Sequence, residues 1–228
     1  MVFGGIEKFT LIDYPGKIAC MVYTIGCNFR CPYCHNPELV NETTDVHISE
    51  REFFDFLDAR KGTLDGVVIT GGEPTVHADL PRVMQEIKKR GFLVKLDSNG
   101  TNPRMFREII KNNLVDYIAM DIKAPLASYG QTVARPVDPE AIKESVALIM
   151  ASPVEYEFRT TLVKGMLSQG DIQQIGKEIK GAKRYVLQKF VSTKILNPQF
   201  KHKVSYSDEE MKEFQDMLSV YVDQCHIR

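Results

Sequence analysis

Apolar residues in this chain fall in short runs rich in β-branched and aromatic types, separated by stretches in which they recur at helical spacing. Ile18 to Ile25 is almost wholly apolar and stops at Gly26, which predicts a buried strand running into a loop. Ser49 to Arg60 has helical spacing, with Ser49 as N-cap and Glu52 in capping-box register. Gly66 to Thr70 is a second strand, ending in Gly71-Gly72. The alternation then continues as a helix from about Leu80 to Arg90, a strand from Phe92 to Leu96, and a helix from Pro103 to Asn112 opened by Asn102. Tyr117 to Ile122 is the next strand, Asp138-Pro139 opens a helix to Met150, and Tyr156 to Val163 is a strand. Asp171 to Ile179 is a helix and Arg184 to Phe190 a strand, and a terminal helix capped near Ser207 runs to about Gln224.

Six strands with helices between them imply parallel strands joined by right-handed crossovers, as a doubly wound sheet or a partial barrel. In either architecture ligands bind in the loops after the carboxyl ends of the strands. Four polar clusters stand there. They are the loop Cys27 to Cys34, Gly71-Gly72-Glu73-Pro74, Asp97-Ser98-Asn99-Gly100, and Asp121-Ile122-Lys123. Each of the last three also reads as ordinary turn or strand-end chemistry, and they gain weight only together with the cysteines.

Composition narrows the class without changing this picture. A 228-residue chain with 43% hydrophobic residues is long enough for a substantial core, and nothing marks a seam, so residues 1–228 read as one domain. No apolar run is long enough to cross a bilayer and Met1 to Phe9 lacks a signal pattern, so a soluble, cytoplasmic protein with no membrane partner is expected. A net charge of −1 gives no reason to expect nucleic acid, and the basic runs Lys88-Lys89-Arg90 and Lys201-His202-Lys203 are short. Five cysteines, three of them in one loop, do not form the paired framework of a small secreted domain. Cys20 and Cys225 stand apart as plain thiols, Cys20 in an apolar run that buries it.

The loop Cys27-Asn28-Phe29-Arg30-Cys31-Pro32-Tyr33-Cys34 carries the sharpest chemical signal, a C-x3-C-x2-C pattern. Three thiolates bind three irons of a cubic cluster and leave the fourth free for a small molecule. Two other readings exist. Cys31-Pro32-Tyr33-Cys34 alone resembles the dithiol of a redox protein, but Cys27 and the helix-breaking His35-Asn36-Pro37 argue against it. Cys27, Cys31, Cys34 and His35 could close a tetrahedral zinc site, although adjacent Cys34 and His35 make an awkward ligand pair.

With Cys27, Cys31, Tyr33 and Cys34 matching C-x3-C-x-aromatic-C, and Gly71-Gly72-Glu73 following the next strand, the chain resembles the radical S-adenosylmethionine (SAM) enzymes. That resemblance implies a partial (β/α)6 barrel. Asp13-Tyr14-Pro15-Gly16, Asp97-Ser98-Asn99-Gly100 and Asp121-Ile122-Lys123 are similar to segments of the activating enzymes of glycyl-radical proteins, most closely those of anaerobic ribonucleoside-triphosphate reductase. Asn36 to Thr70 holds no cysteine, so a single [4Fe-4S] cluster is expected.

By this resemblance Cys27, Cys31 and Cys34 hold the cluster and SAM chelates its open iron. Glu73, with the backbone of Gly71 and Gly72, receives the SAM ammonium, and Tyr33 lies against the adenine. Asp97 and Ser98 contact the methionine or ribose end, and Asp97 with Asp121 holds a monovalent cation. Lys123 pairs with carboxylate or hydroxyl oxygens, Arg159 neutralises the SAM carboxylate, and Gln188 reaches the ribose or adenine. Asp13 to Gly16 helps form the mouth. Reductive cleavage of SAM then gives a 5′-deoxyadenosyl radical that takes hydrogen from a glycine α-carbon of a partner enzyme. The electron comes from a low-potential donor such as flavodoxin or ferredoxin. The rival functions are a radical SAM enzyme acting on a small molecule, as in modified-base or cofactor synthesis, and a zinc or dithiol redox protein.

Overall fold

Capping residues set the helices close to where the sequence places them in the computed structural model, which describes residues 1–228. In chain order the elements are β1 (Val2–Thr10), β2 (Ala19–Thr24), α1 (Pro37–Val40), β3 (Ile48–Ser49), α2 (Glu50–Asp58), β4 (Gly66–Gly71), α3 (Leu80–Lys89), β5 (Leu93–Ser98), α4 (Pro103–Lys111) and β6 (Tyr117–Asp121). They continue as α5 (Tyr129–Val133), α6 (Pro139–Ala151), β7 (Glu155–Leu162), α7 (Gln169–Glu178), β8 (Arg184–Lys189), α8 (Asp208–Leu218) and β9 (Gln224–Ile227). The capping box at α2 forms as expected: Ser49 N donates to Glu52 Oε2 at 2.8 Å and Glu52 N to Ser49 Oγ at 3.3 Å. Ser207 and Glu210 make the same motif at α8.

All nine strands join one sheet in the order β3-β1-β2-β4-β5-β6-β7-β8-β9. The six expected strands are β2, β4, β5, β6, β7 and β8, paired parallel and in chain order. A doubly wound sheet reverses its strand order at a switch point, and this one never does. Right-handed crossovers therefore put every connecting helix on the same face, and the twisted sheet curls into a partial barrel. The two edge strands, β3 and β9, do not meet, so the barrel is open along one side.

Period-two alternation divides the side chains of each strand between two environments. Toward the helices point Cys20 and Val22, Val67 and Ile69, Val94 and Leu96, Ile118 and Met120, all part of a core of 49 buried residues. The opposite, concave face holds a small apolar floor of Tyr14, Ala19, Met21, Val68, Tyr117 and Ala119. Above that floor the concave positions turn polar, with Lys95, Asp97, Asp121, Glu157 and Arg159. No helix is long and apolar enough to cross a membrane.

Besides the six expected strands the sheet gains β1, β3 and β9. β1 is a full strand, antiparallel to both β2 and β3, in a segment for which no strand was expected. Gly4, Gly5 and the exposed Glu7 and Lys8 weaken its own strand signal, so pairing with β2 imposes the conformation. The terminal helix stops at Leu218, six residues short of the expected Gln224, and the chain returns as β9 beside β8. That strand pairs backbone groups of β8 that would otherwise form an open edge.

Phe3 on β1 is 0% exposed and meets Phe53 of α2 edge-on, with ring centroids 4.9 Å apart. Phe3→Ala should lower stability by roughly 3–5 kcal/mol, read as a lower urea midpoint with unchanged slope, because a buried aromatic leaves both lost transfer energy and a cavity.

Candidate active site

Loops after the carboxyl ends of β2, β4, β5 and β6 meet over the concave face and close on a cavity of about 420 Å³. All thirteen residues singled out in the sequence line it: Cys27, Cys31, Tyr33, Cys34, Gly71, Gly72, Glu73, Asp97, Ser98, Asp121, Lys123, Arg159 and Gln188. Asp13, from the loop between β1 and β2, lies at the same cavity. Tyr33 is 4% exposed, and Gln188 accepts at 3.4 Å from Thr161 Oγ1.

Cys27, Cys31 and Cys34 are free thiols. Phe29 N donates to Cys27 Sγ at 3.3 Å and Asn36 N to Cys34 Sγ at 3.5 Å. The loop is braced from within by Arg30, whose Nη1 donates to the carbonyls of Cys27 and Phe29 at 2.6 and 2.8 Å. It is braced from behind by Leu196 N to Cys34 O and Asn197 N to Pro32 O, both 2.9 Å. Burial pushes the thiols up, Cys27 to about 12 with Glu73 adding to the effect, and Cys31 to about 11 with Lys123 opposing it. Burial likewise raises Cys34. Such thiols stay protonated unless a cationic group takes the place of the proton.

No three His, Cys, Asp or Glu side chains converge on a point where a single ion would sit. A lone zinc needs every ligand within about 2.0–2.3 Å of one centre, whereas a cubic cluster offers a separate iron to each sulfur. The Nε2 of His35 is also engaged, 2.6 Å from Val191 O. The donor set therefore fits an iron–sulfur cluster and not the Cys3His zinc site. Cys20, on the helix side, is 0% exposed and pushed by burial to about 12, as expected of a core thiol.

Gly71 and Gly72 are fixed by backbone contact. Gly71 has φ +111, and a Cβ there would stand 2.5 Å from Thr24 N. A Cβ on Gly72 would stand 1.9 Å from Gly26 O. Gly72 N donates to Thr24 O and Glu73 N to Gly26 O, each at 2.8 Å, so the two loops are joined directly. The close approach that requires Gly72 is to Gly26, and both glycines also line the cavity.

Glu73 is 1% exposed, yet its carboxylate is well supplied with donors. Oε1 accepts from Thr75 N at 3.0 Å, from Thr75 Oγ1 at 2.5 Å and from Ser98 Oγ at 2.7 Å, and Oε2 accepts from Asn99 N at 2.7 Å. Burial raises its pKa and these bonds oppose the rise. Oε2 keeps acceptor capacity that Oε1 has spent. Ser98, which also lines the cavity, thus holds Glu73 in place.

Five charges, Lys95 and Arg159 buried and the other three half-buried, then alternate in sign across the concave face. Lys95 pairs with Asp97 Oδ1, and Arg159 Nη1 donates to Asp97 Oδ2 at 3.1 Å. Arg159 Nε donates to Asp121 Oδ1 at 2.8 Å, and Lys123 Nζ to Asp121 Oδ2 at 2.9 Å. Burial works against charge on both carboxylates, but Arg159 and Lys95 together outweigh it and lower Asp97, and Arg159 with Lys123 brings Asp121 to about 2. The monovalent cation expected between Asp97 and Asp121 does not fit this arrangement. Arg159 bridges both carboxylates, and Lys95 and Lys123 take their remaining oxygens.

Several contributors escaped the sequence reading. Asn28, Thr101 and Asn99 form a closed ring of hydrogen bonds: Asn28 Nδ2 donates to Thr101 Oγ1 at 2.8 Å, Thr101 Oγ1 to Asn99 Oδ1 at 2.7 Å, and Asn99 Nδ2 to Asn28 Oδ1 at 2.8 Å. The ring ties the cysteine loop to the loop after β5. Amides and hydroxyls of this kind carry no distinctive spacing. Lys95 did leave a signal, as a lone charge inside the apolar run Phe92 to Leu96.

This fold and site define the class. The chain belongs to the radical SAM superfamily, whose family profile matches residues 21–172. It falls among the glycyl-radical enzyme activating enzymes. It is 35% identical over 231 residues to a Methanocaldococcus jannaschii protein provisionally named a glycyl-radical enzyme activating enzyme, covering 98% of this chain and 94% of that one. It is 32% identical over 131 residues to the pyruvate formate-lyase-activating enzyme of Clostridium pasteurianum, covering 54% of each. In fold it is similar to a radical SAM methyltransferase from Sphaerobacter thermophilus, with a TM-score of 0.69 at 16% identity over 96% of this chain and 68% of that one.

Gly72→Ala should force the two loops apart. The expected result is a loss of roughly 1–3 kcal/mol in stability and faster labelling of Cys27, Cys31 and Cys34 by a thiol reagent, while Cys20 stays protected. Asp121 has a lowered folded pKa, so its stabilisation is fully present above the unfolded value of about 4 and is lost as the pH falls through about 2. The stability difference between wild type and Asp121→Asn, measured by denaturant unfolding, should therefore shrink across that interval.

Proposed function

We propose that this chain is a single radical SAM domain that installs a glycyl radical on a partner enzyme, with anaerobic ribonucleoside-triphosphate reductase as the preferred partner. The observation that carries the reading is the convergence of three unpaired thiols, the Gly71-Gly72-Glu73 loop and an alternating ion chain on one open cavity. The open side of the barrel supports a macromolecular substrate, because a loop of another protein needs a route to the thiols.

Cys27, Cys31 and Cys34 would each bind one iron of a [4Fe-4S] cluster as thiolates. When bound, the cluster supplies the electron that breaks the sulfur–C5′ bond of SAM and so yields the 5′-deoxyadenosyl radical that takes hydrogen from a glycine. Glu73 would accept the SAM ammonium at Oε2, since its Oε1 is already occupied by Thr75 and Ser98. Arg159 and Lys123 would face the SAM carboxylate, each with donors left over from its carboxylate partners. Tyr33 and Gln188 would bound the adenosyl end. Tyr129 steadies this wall: its hydroxyl accepts from Lys123 N at 3.1 Å and donates to Asp121 O at 3.2 Å. The reductant would be a low-potential carrier of the flavodoxin or ferredoxin class.

Electron paramagnetic resonance of anaerobically reconstituted, reduced protein tests the cofactor assignment. A [4Fe-4S]+ signal that changes on adding SAM is expected, and a signal indifferent to SAM would reduce the protein to electron transfer. Cys31→Ala should keep the fold but lose iron and SAM cleavage together. Mixing the reduced protein with SAM and the candidate reductase should produce a glycyl radical. Turnover of a soluble metabolite without any protein radical would favour the small-molecule reading.

A further inference from the structure

The ion chain has a deep end that the chemistry above does not use. Lys95 is 1% exposed, sits below Asp97, and places its Nζ 5.8 Å from the centre of the Tyr117 ring. A buried lysine is costly, and the interior of a parallel barrel is ordinarily filled with branched aliphatic side chains. Met21 and Val68, at the neighbouring register positions on β2 and β4, follow that habit.

Lys95 decides how Asp97 is shared. It takes Asp97 Oδ1, so Asp97 draws on Arg159 only through Nη1 at 3.1 Å. Arg159 Nε is given to Asp121, and Nη2 has no partner within the chain. A guanidinium pulled into a two-pronged pair with a lone Asp97 would lose that free edge.

We propose that Lys95 is a positioning residue that, by holding Asp97, keeps Arg159 available to a ligand carrying a free carboxylate. The inference rests on the SAM reading and adds to it a determinant of selectivity for the amino-acid end of the ligand. Lys95 itself touches no ligand; it acts through Asp97 and Arg159.

Equilibrium dialysis of the reconstituted holoenzyme against SAM, and against its decarboxylated analogue, tests this. Lys95→Met should raise the Kd for SAM by about tenfold or more, the scale expected when one member of a buried charge pair is removed, and leave the Kd for the analogue unchanged. Equal weakening for both ligands would mark a merely structural lysine and overturn the proposal, as would an unchanged Kd for SAM. The double variant Lys95→Met/Asp97→Asn removes the pair together and leaves no lone Asp97 carboxylate to capture Arg159. It should recover the wild-type preference for SAM, and it carries the test even where Lys95→Met alone does not fold. A double variant that folds but has lost the preference would refute Asp97 as the competitor for Arg159. Failure of the wild-type holoenzyme to bind SAM would instead reject the cofactor assignment.

Discussion

Two stretches of backbone touch where no side chain fits, at Gly72 against the carbonyl of Gly26, and the rest of the site is registered from that contact. Because Glu73 N donates to Gly26 O, the loop that carries the acidic residue cannot move independently of the loop that carries the thiols. The Glu73 side chain then reaches the loop after β5 through Ser98 and the amide of Asn99, and the ring of Asn28, Asn99 and Thr101 closes the circuit. Three loops from three strands thereby become one rigid rim. Rigidity of this kind matters to a site that must hold a reactive species beside a particular atom, since a misplacement of about 1 Å is enough to cost much of the rate.

Below the rim the barrel interior departs from the usual apolar filling. Buried ion pairs are weak contributors to stability, because desolvation cancels most of the attraction between partners. Their retention here is better understood through charge placement. The two carboxylates stay ionised under their cations, and the guanidinium between them is held by planar, directional bonds that an ammonium could not reproduce. The helix side of the same strands is entirely ordinary, a close-packed core of aliphatic and aromatic residues. One strand can serve both environments because its side chains alternate, so the core and the cavity make independent demands on neighbouring positions.

Strand by strand, legibility follows local signal strength. The six central strands announce themselves as apolar runs because both of their faces are largely covered. β1 carries glycines and exposed charges, and β9 is four residues with no apolar run, so each depends on a neighbour's unpaired backbone for its conformation. The cysteines and the Gly71-Gly72-Glu73 loop were legible because their residue types and spacing are rare. Asn28, Asn99 and Thr101 were not, since polar residues in loops ordinarily report only turn chemistry.

By itself the sequence determined the strand–helix alternation, the three-thiol chemistry and the carboxyl-end position of the polar clusters, all of which follow from periodicity and local spacing. Only the tertiary structure decided that Gly72 meets Gly26, that Ser98 serves Glu73, and that Arg159 stands between Asp97 and Asp121 in place of a bound cation. Those outcomes depend on the register between strands that are distant in the chain, and register is set by the summed packing of two sheet faces, which no local window contains.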